Sequence, residues 1–167
     1  RDKLVTGVQT CALPISKYRR AGLVPWAAVN RPRADYPLIR FPWREVKAAL
    51  ADLASVTPRG EIVRLAYINP ETGAECMPIL GFSAVHLRPG ETTRPARHSA
   101  SSVVHVVDGA GTIEIDGTSL RFERFDTIAI PTHAEVRIEN ASATTPAHLF
   151  VVDDAPMQKK LGFYETR

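Results

Sequence analysis

Five histidines, at 86, 98, 105, 133 and 148, are the residues of this 167-residue chain best suited to metal or acid–base chemistry. The densest grouping reads Gly90-x5-Ala96-x-His98-x3-Ser102-x6-Gly109, followed later by Pro131-x-His133-x2-Val136-x3-Asn140. Alternate residues of a strand share a face, so Ala96, His98 and Ser102 project to one side and His105 to the other. A catalytic mononuclear metal needs about three imidazole or carboxylate ligands on one point, with open positions for substrate. That face offers a single imidazole, His98. Ala96 and Val136 carry no donor atom, and Ser102 is a poor neutral ligand. One histidine does not hold a catalytic metal, so no metal, catalytic or cofactor-binding residue is assigned. A rearranged site using His98 and His133 is the alternative left open. His86 and His148 fall in other expected strands and read as exposed or ordinarily hydrogen-bonded. Glu114, Asp116 and Glu123 alternate with apolar residues, the pattern of a solvated sheet face. Ser101 and Ser102 have no adjacent His–Asp relay, which argues against a hydrolase triad.

The elements that must position these side chains are mostly short strands. One helix is expected over Phe41–Ser55, with Pro42 in its first turn and Val46, Ala49, Leu50 and Leu53 at helical spacing. It reads as packing on the flank of a β-barrel. From Glu61 onward, β-like runs alternate with turn residues: 61–68, 76–87, 101–107, 112–116, 119–125, 126–130, 135–139 and 147–152. Asp108-Gly109 and Gly117 mark reversals. Strands this short at regular intervals indicate an all-β sandwich or barrel and not a parallel α/β sheet. Residues 156–162 read as a closing helical turn.

The hydrophobic content of 44% fits one globular domain. No apolar run approaches the roughly 20 residues of a membrane span. Residues 1–16 stand apart. With ordinary codons, Val5–Ile15 back-translates into a string resembling the read primer of a common DNA sequencing library. Residues 1–16 are therefore expected to be translated adapter, with the natural sequence entering mid-gene near Lys17. Residues 17–41, with Pro25, Pro32 and Pro37, read as an extended arm or linker, and 42–167 as the domain. Setting 1–16 aside removes Cys11, leaving Cys76 as a lone thiol compatible with a reducing cytoplasm. The formal charge of +3 falls by one with Arg1, Asp2 and Lys3 removed. A balance so mild, without basic–aromatic clusters, predicts no nucleic-acid partner.

The two runs resemble the paired signature motifs of the cupin family. The first family motif is Gly, five residues, His-x-His, three or four residues, Glu, six residues, Gly. Gly90 and Gly109 keep its ends, while Ala96, His98 and Ser102 stand at the ligand positions. In the second motif Pro131 and Asn140 keep their places, His133 replaces a Gly, and Val136 replaces the last ligand. The resemblance implies a cupin-type jelly roll, a double-stranded β-helix, with a flanking N-terminal helix.

Further phrases resemble the bicupin ring-cleaving dioxygenases, the gentisate 1,2-dioxygenase, salicylate and hydroxynaphthoate group. They are Tyr36–Arg40 with Phe41-Pro42-Trp43, Tyr67-Ile68-Asn69-Pro70 with Thr72-Gly73, Leu87–Glu91, Ser101–Gly109, and Asp154-Ala155-Pro156 with Leu161-Gly162. In that family two cupins share a chain. The resemblance implies Fe(II) on three histidines of the N-terminal cupin and an incomplete ligand set in the C-terminal one. This chain resembles the latter, and Val104 stands where the iron-binding cupin carries an Arg. The expected role is auxiliary, in a cytoplasmic enzyme that cleaves hydroxylated aromatic acids with O₂, with the fragment alone inactive. Its expected partners are the upstream cupin of the same chain and other subunits of a homo-oligomer, contacted through positions such as Val103 and Val107. Two other readings stay open. One is a stand-alone metal-free binding or scaffold cupin, with His98 and Asn140 as polar handles. The other is a single-domain metalloenzyme with rearranged ligands.

Overall fold

The computed structural model describes residues 40–70 and 73–167, all within one compact unit spanning 39–167. The expected adapter (1–16) and nearly all of the expected arm (17–41) lie outside the described residues. Helix α1 (Trp43–Val56) is followed by β1 (Val63–Ala66), β2 (Gly81–Leu87), β3 (Ala96–Arg97), β4 (Ser102–Asp108), β5 (Gly111–Ile115), β6 (Thr118–Phe122), β7 (Thr127–Ile130), β8 (Glu135–Asn140) and β9 (Ala147–Asp153). Helix α2 (Ala155–Leu161) follows, ended by Gly162 in the left-handed conformation. Among the described residues, no helix is long and apolar enough to cross a membrane.

Two antiparallel sheets form, in the orders β1-β2-β9-β4-β7 and β3-β8-β5-β6. Period-two alternation decides what lies between them. Val85, Leu87, Val104, Val106, Leu149 and Val151 of the larger sheet meet Ile113, Phe122 and Ile138 of the smaller in one core. Their strand neighbours point outward. Ala84, Val63 and Leu65 on the outer face of the larger sheet take the apolar stripe of α1, with Leu50 fully buried among them. Burying one such leucine stabilises by about 2 kcal/mol. This is the flank packing expected of the helix.

The strand pattern departs from expectation at two places. The strand expected over 76–87 begins only at Gly81, because Pro78 lacks an N–H for the ladder and Ile79 is left exposed. The two-residue strand β3, which carries Ala96, gave no periodic signal at all.

The turns explain the glycine spacing. Gly109 has φ +98°, and a Cβ there would lie 2.5 Å from that of Ala147, so a side chain is excluded twice over. In the second motif the glycines are gone but their backbone is kept. Phe125 has φ +76° and His133 φ +58°. A bulky residue in the left-handed region is strained by about 1–2 kcal/mol. Phe125 is exposed and its ring lies under the Arg124 guanidinium at 4.4 Å, a modest offset at the surface. Phe125→Gly is therefore expected to stabilise by about 1 kcal/mol, raising the melting temperature by roughly 2–4 °C. A drop in a thermal unfolding scan would show that the ring contributes more than its strain costs.

Candidate functional site

The four flagged positions come together. Ala96 on β3 is the cross-strand partner of Val136 on β8. Both line a cavity of about 450 Å³ with His98 and Ser102. Val85, Val104, Ile130, Ile138 and Val151 give it apolar walls contributed by both sheets. Arg64 and Asp153 also face it as an ion pair at 2.9 Å, with Arg64 Nε donating to Ser83 Oγ at 2.8 Å. The His98 ring stacks on Tyr164 with centroids 6.4 Å apart, and its Nδ1 is buried without a hydrogen-bond partner among the described residues.

The donor set does not fit an iron centre. Of the four motif positions, His98 brings an imidazole and Ser102 a hydroxyl, while Ala96 and Val136 bring only methyl groups. Among the described residues, no cluster of three or more His, Cys, Asp or Glu side chains could hold a metal ion. His133 and His98 meet through the backbone, His133 N–H donating to the His98 carbonyl at 2.9 Å. The His133 side chain is exposed and does not line the cavity. His105 sits on the outer face, as strand parity requires, with Nδ1 3.0 Å from Thr127 Oγ1. Ser101 donates to Asp154 at 3.2 Å and has no histidine beside it.

Asn140 is not a handle inside the barrel. Its amide nitrogen donates to the carbonyls of Leu87, Arg88 and Thr145 at 3.2, 3.1 and 2.9 Å, and its Oδ1 accepts from Ser142 N–H at 3.0 Å. Both ends of the side-chain amide are engaged in pinning the 141–146 loop to the end of β2. That corrects the expectation drawn for it.

Residues 83–153 match the model of the family described as the cupin domain. This stretch is a cupin domain. The chain is 39% identical over its full 167 residues to a gentisate 1,2-dioxygenase of Ralstonia sp, covering 46% of that protein. It is 34% identical over 150 residues, 88% of the chain, to a 5-aminosalicylate 1,2-dioxygenase of Comamonas sp, covering 38% of it. The crystal structure of a salicylate 1,2-dioxygenase from Pseudaminobacter salicylatoxidans superposes with a TM-score of 0.72 at 25% identity, over 92% of this chain and 45% of that one. The chain thus spans less than half the length of these relatives.

One constellation in the cupin domain escaped the sequence reading. His86 on β2 and His148 on β9 are cross-strand partners, with His86 Nδ1 3.1 Å from His148 Nε2. Both are buried beneath α1, with Trp43 edge-on to His148 at 5.6 Å between ring centroids. Burial holds both imidazoles below their ordinary value, His148 down to about 4, and the two rings' proximity adds to the effect on His148. Asp108 opposes it weakly from 4.0 Å. Strand identity was readable for both residues; the β2–β9 pairing that joins them was not.

Proposed function

We propose that this chain is the metal-free C-terminal cupin of a two-cupin, Fe(II)-dependent dioxygenase that cleaves hydroxylated aromatic acids. One observation carries the reading: the jelly roll and its motif spacing are intact while the facing ligand positions are Ala96 and Val136. The relatives named for ring cleavage, each more than twice as long as the stretch matched, support an iron-bearing cupin elsewhere in the protein. The domain's own contribution is structural. Its outer sheet face carries the cross-strand set Phe82, Val152, Val103 and Ala129, apolar and beyond the cover of α1. Such a face suits contact between subunits.

Metal analysis of the purified chain is expected to find no stoichiometric iron, whereas the longer protein carries it. Iron bound one-to-one in this chain overturns the reading. Val103→Lys with Val107→Lys is expected to shift the longer enzyme toward smaller species in sedimentation velocity. An unchanged profile counts against the subunit-contact role.

A further inference from the structure

We infer that the cavity of the cupin domain is itself a binding site for a small apolar carboxylic acid bearing a hydroxyl, one or two rings in size. The choice of probe rests on the dioxygenase reading above; the site rests on the cavity's own chemistry. Its volume of about 450 Å³ falls among those of small-molecule pockets, roughly 300–1,000 Å³. Branched aliphatic walls leave water there with few partners, so an apolar ring is favoured over solvent. The aliphatic pair Ala96 and Val136 extends that apolar lining across the place where imidazoles would converge on a metal.

Polar groups in the lining are few, and two of them are unsatisfied; Thr93 Oγ1 already accepts from the Ile138 N–H at 2.9 Å. The Ser102 hydroxyl makes no hydrogen bond among the described residues, and His98 Nδ1 is a buried atom without a partner. At the rim, Arg94 is exposed and makes no ion pair among the described residues. Arg64 and Asp153 neutralise each other, so neither leaves net charge in the cavity. Glu61 also lies at the rim, exposed and able to turn to solvent. A ring between the valines would place its hydroxyl toward Ser102 and His98 and its carboxylate toward Arg94, a charge-assisted contact. No covalent or redox step is involved.

The test is a titration of the 167-residue chain with salicylate and, separately, with phenol, followed by methyl and amide NMR shifts. Saturable shifts are expected at Val104, Val136 and Ile138. Arg94→Gln is expected to weaken salicylate about tenfold and phenol by less than about twofold. Ala96→Trp, at a lining position that is itself open to solvent, is expected to fill the cavity and abolish binding of both while the spectrum stays that of the folded domain. Absence of saturation at millimolar ligand, shifts confined to the outer sheet face, or unchanged binding by Ala96→Trp would each overturn the site. A longer protein that binds iron and cleaves rings, paired with a chain that ignores salicylate, removes this site and leaves the dioxygenase reading intact. Saturable binding by a chain with no iron cupin upstream does the reverse.

Discussion

Replacing Arg88 by alanine is expected to destabilise the fold by about 4 kcal/mol, seen as a lower denaturant midpoint at unchanged slope. Arg88 follows β2 directly, and its guanidinium joins three separate pieces of the chain. Nη1 donates to Glu91 Oε1 at 2.5 Å, while Nη2 donates to the carbonyls of Ala54 and Thr57 at 2.7 and 2.6 Å. Those carbonyls close the C-terminal end of α1, where no intrahelical donor remains and a positive charge is favoured. Glu91, with its side chain only 4% exposed, also accepts from the Arg88 and Gly60 N–H groups at 2.9 and 3.2 Å. Burial alone would raise the Glu91 carboxyl. The donated hydrogen bonds and the Arg88 charge outweigh it and hold the group below the ordinary carboxylate value.

Removing the guanidinium therefore strands a buried carboxylate and leaves the end of α1 unsatisfied at the same time. Arg88→Ala with Glu91→Gln removes both charges, so the double variant should recover part of the loss, with a coupling of about 2 kcal/mol in the cycle. Additive single effects, or a cost below about 1 kcal/mol for Arg88→Ala, would show that the clamp is replaceable by water.

An all-β sandwich or barrel was legible because its information is local, and the resemblance to the cupin motifs narrowed that class to a jelly roll. Alternation marks each strand, Gly109 and Gly117 mark reversals, and the apolar stripe of α1 marks the face it buries. The motif spacing placed Ala96, His98, Ser102 and Val136 around one cavity without any knowledge of which strands pair. What stayed hidden depends on pairing between distant segments. Arg88 and Glu91 sit in a turn phrase that shows nothing of Ala54 or Thr57, more than thirty residues earlier. Asn140 looked like a cavity residue because its side-chain type is polar and its strand lines the barrel. Its partners are backbone carbonyls, which carry no side-chain signature. His86 and His148 are separated by 62 residues, and only the β2–β9 register brings them into contact. The strained Phe125 was masked for a different reason: a side chain's identity does not report the φ it is made to adopt.

That histidine pair gives the second large effect, an acid limb in stability that starts well above the carboxylate range. In the unfolded chain His148 titrates near 6.5; in the fold burial lowers it to about 4, with His86 and Lys47 acting in the same direction. His86 is lowered too, by burial first and then by Arg88 and Lys47, against Glu91. Between these values the unfolded state binds more protons than the fold, so stability is complete above pH 6.5 and lost as pH falls toward 4. A shift of that size corresponds to about 3 kcal/mol from His148. The groups facing the pair are Trp43 and Lys47 from α1, Asp108 from β4, and Arg88 and Glu91 beyond β2. Among the described residues Asp108 is the carboxylate paired with His148, but at 4.0 Å, beyond hydrogen-bond distance and shared with Lys47 and Arg124, it cannot hold an imidazolium in place. Glu91 loses its contribution only below the ordinary carboxylate value, so the two limbs separate on the pH axis. Urea unfolding at intervals from pH 7.5 to 4 should show the loss in the native chain, and His148→Gln should flatten it by about one proton while lowering stability at neutral pH. A native chain equally stable at pH 7 and pH 4.5 would mean that α1 lifts off the pair on protonation at little cost.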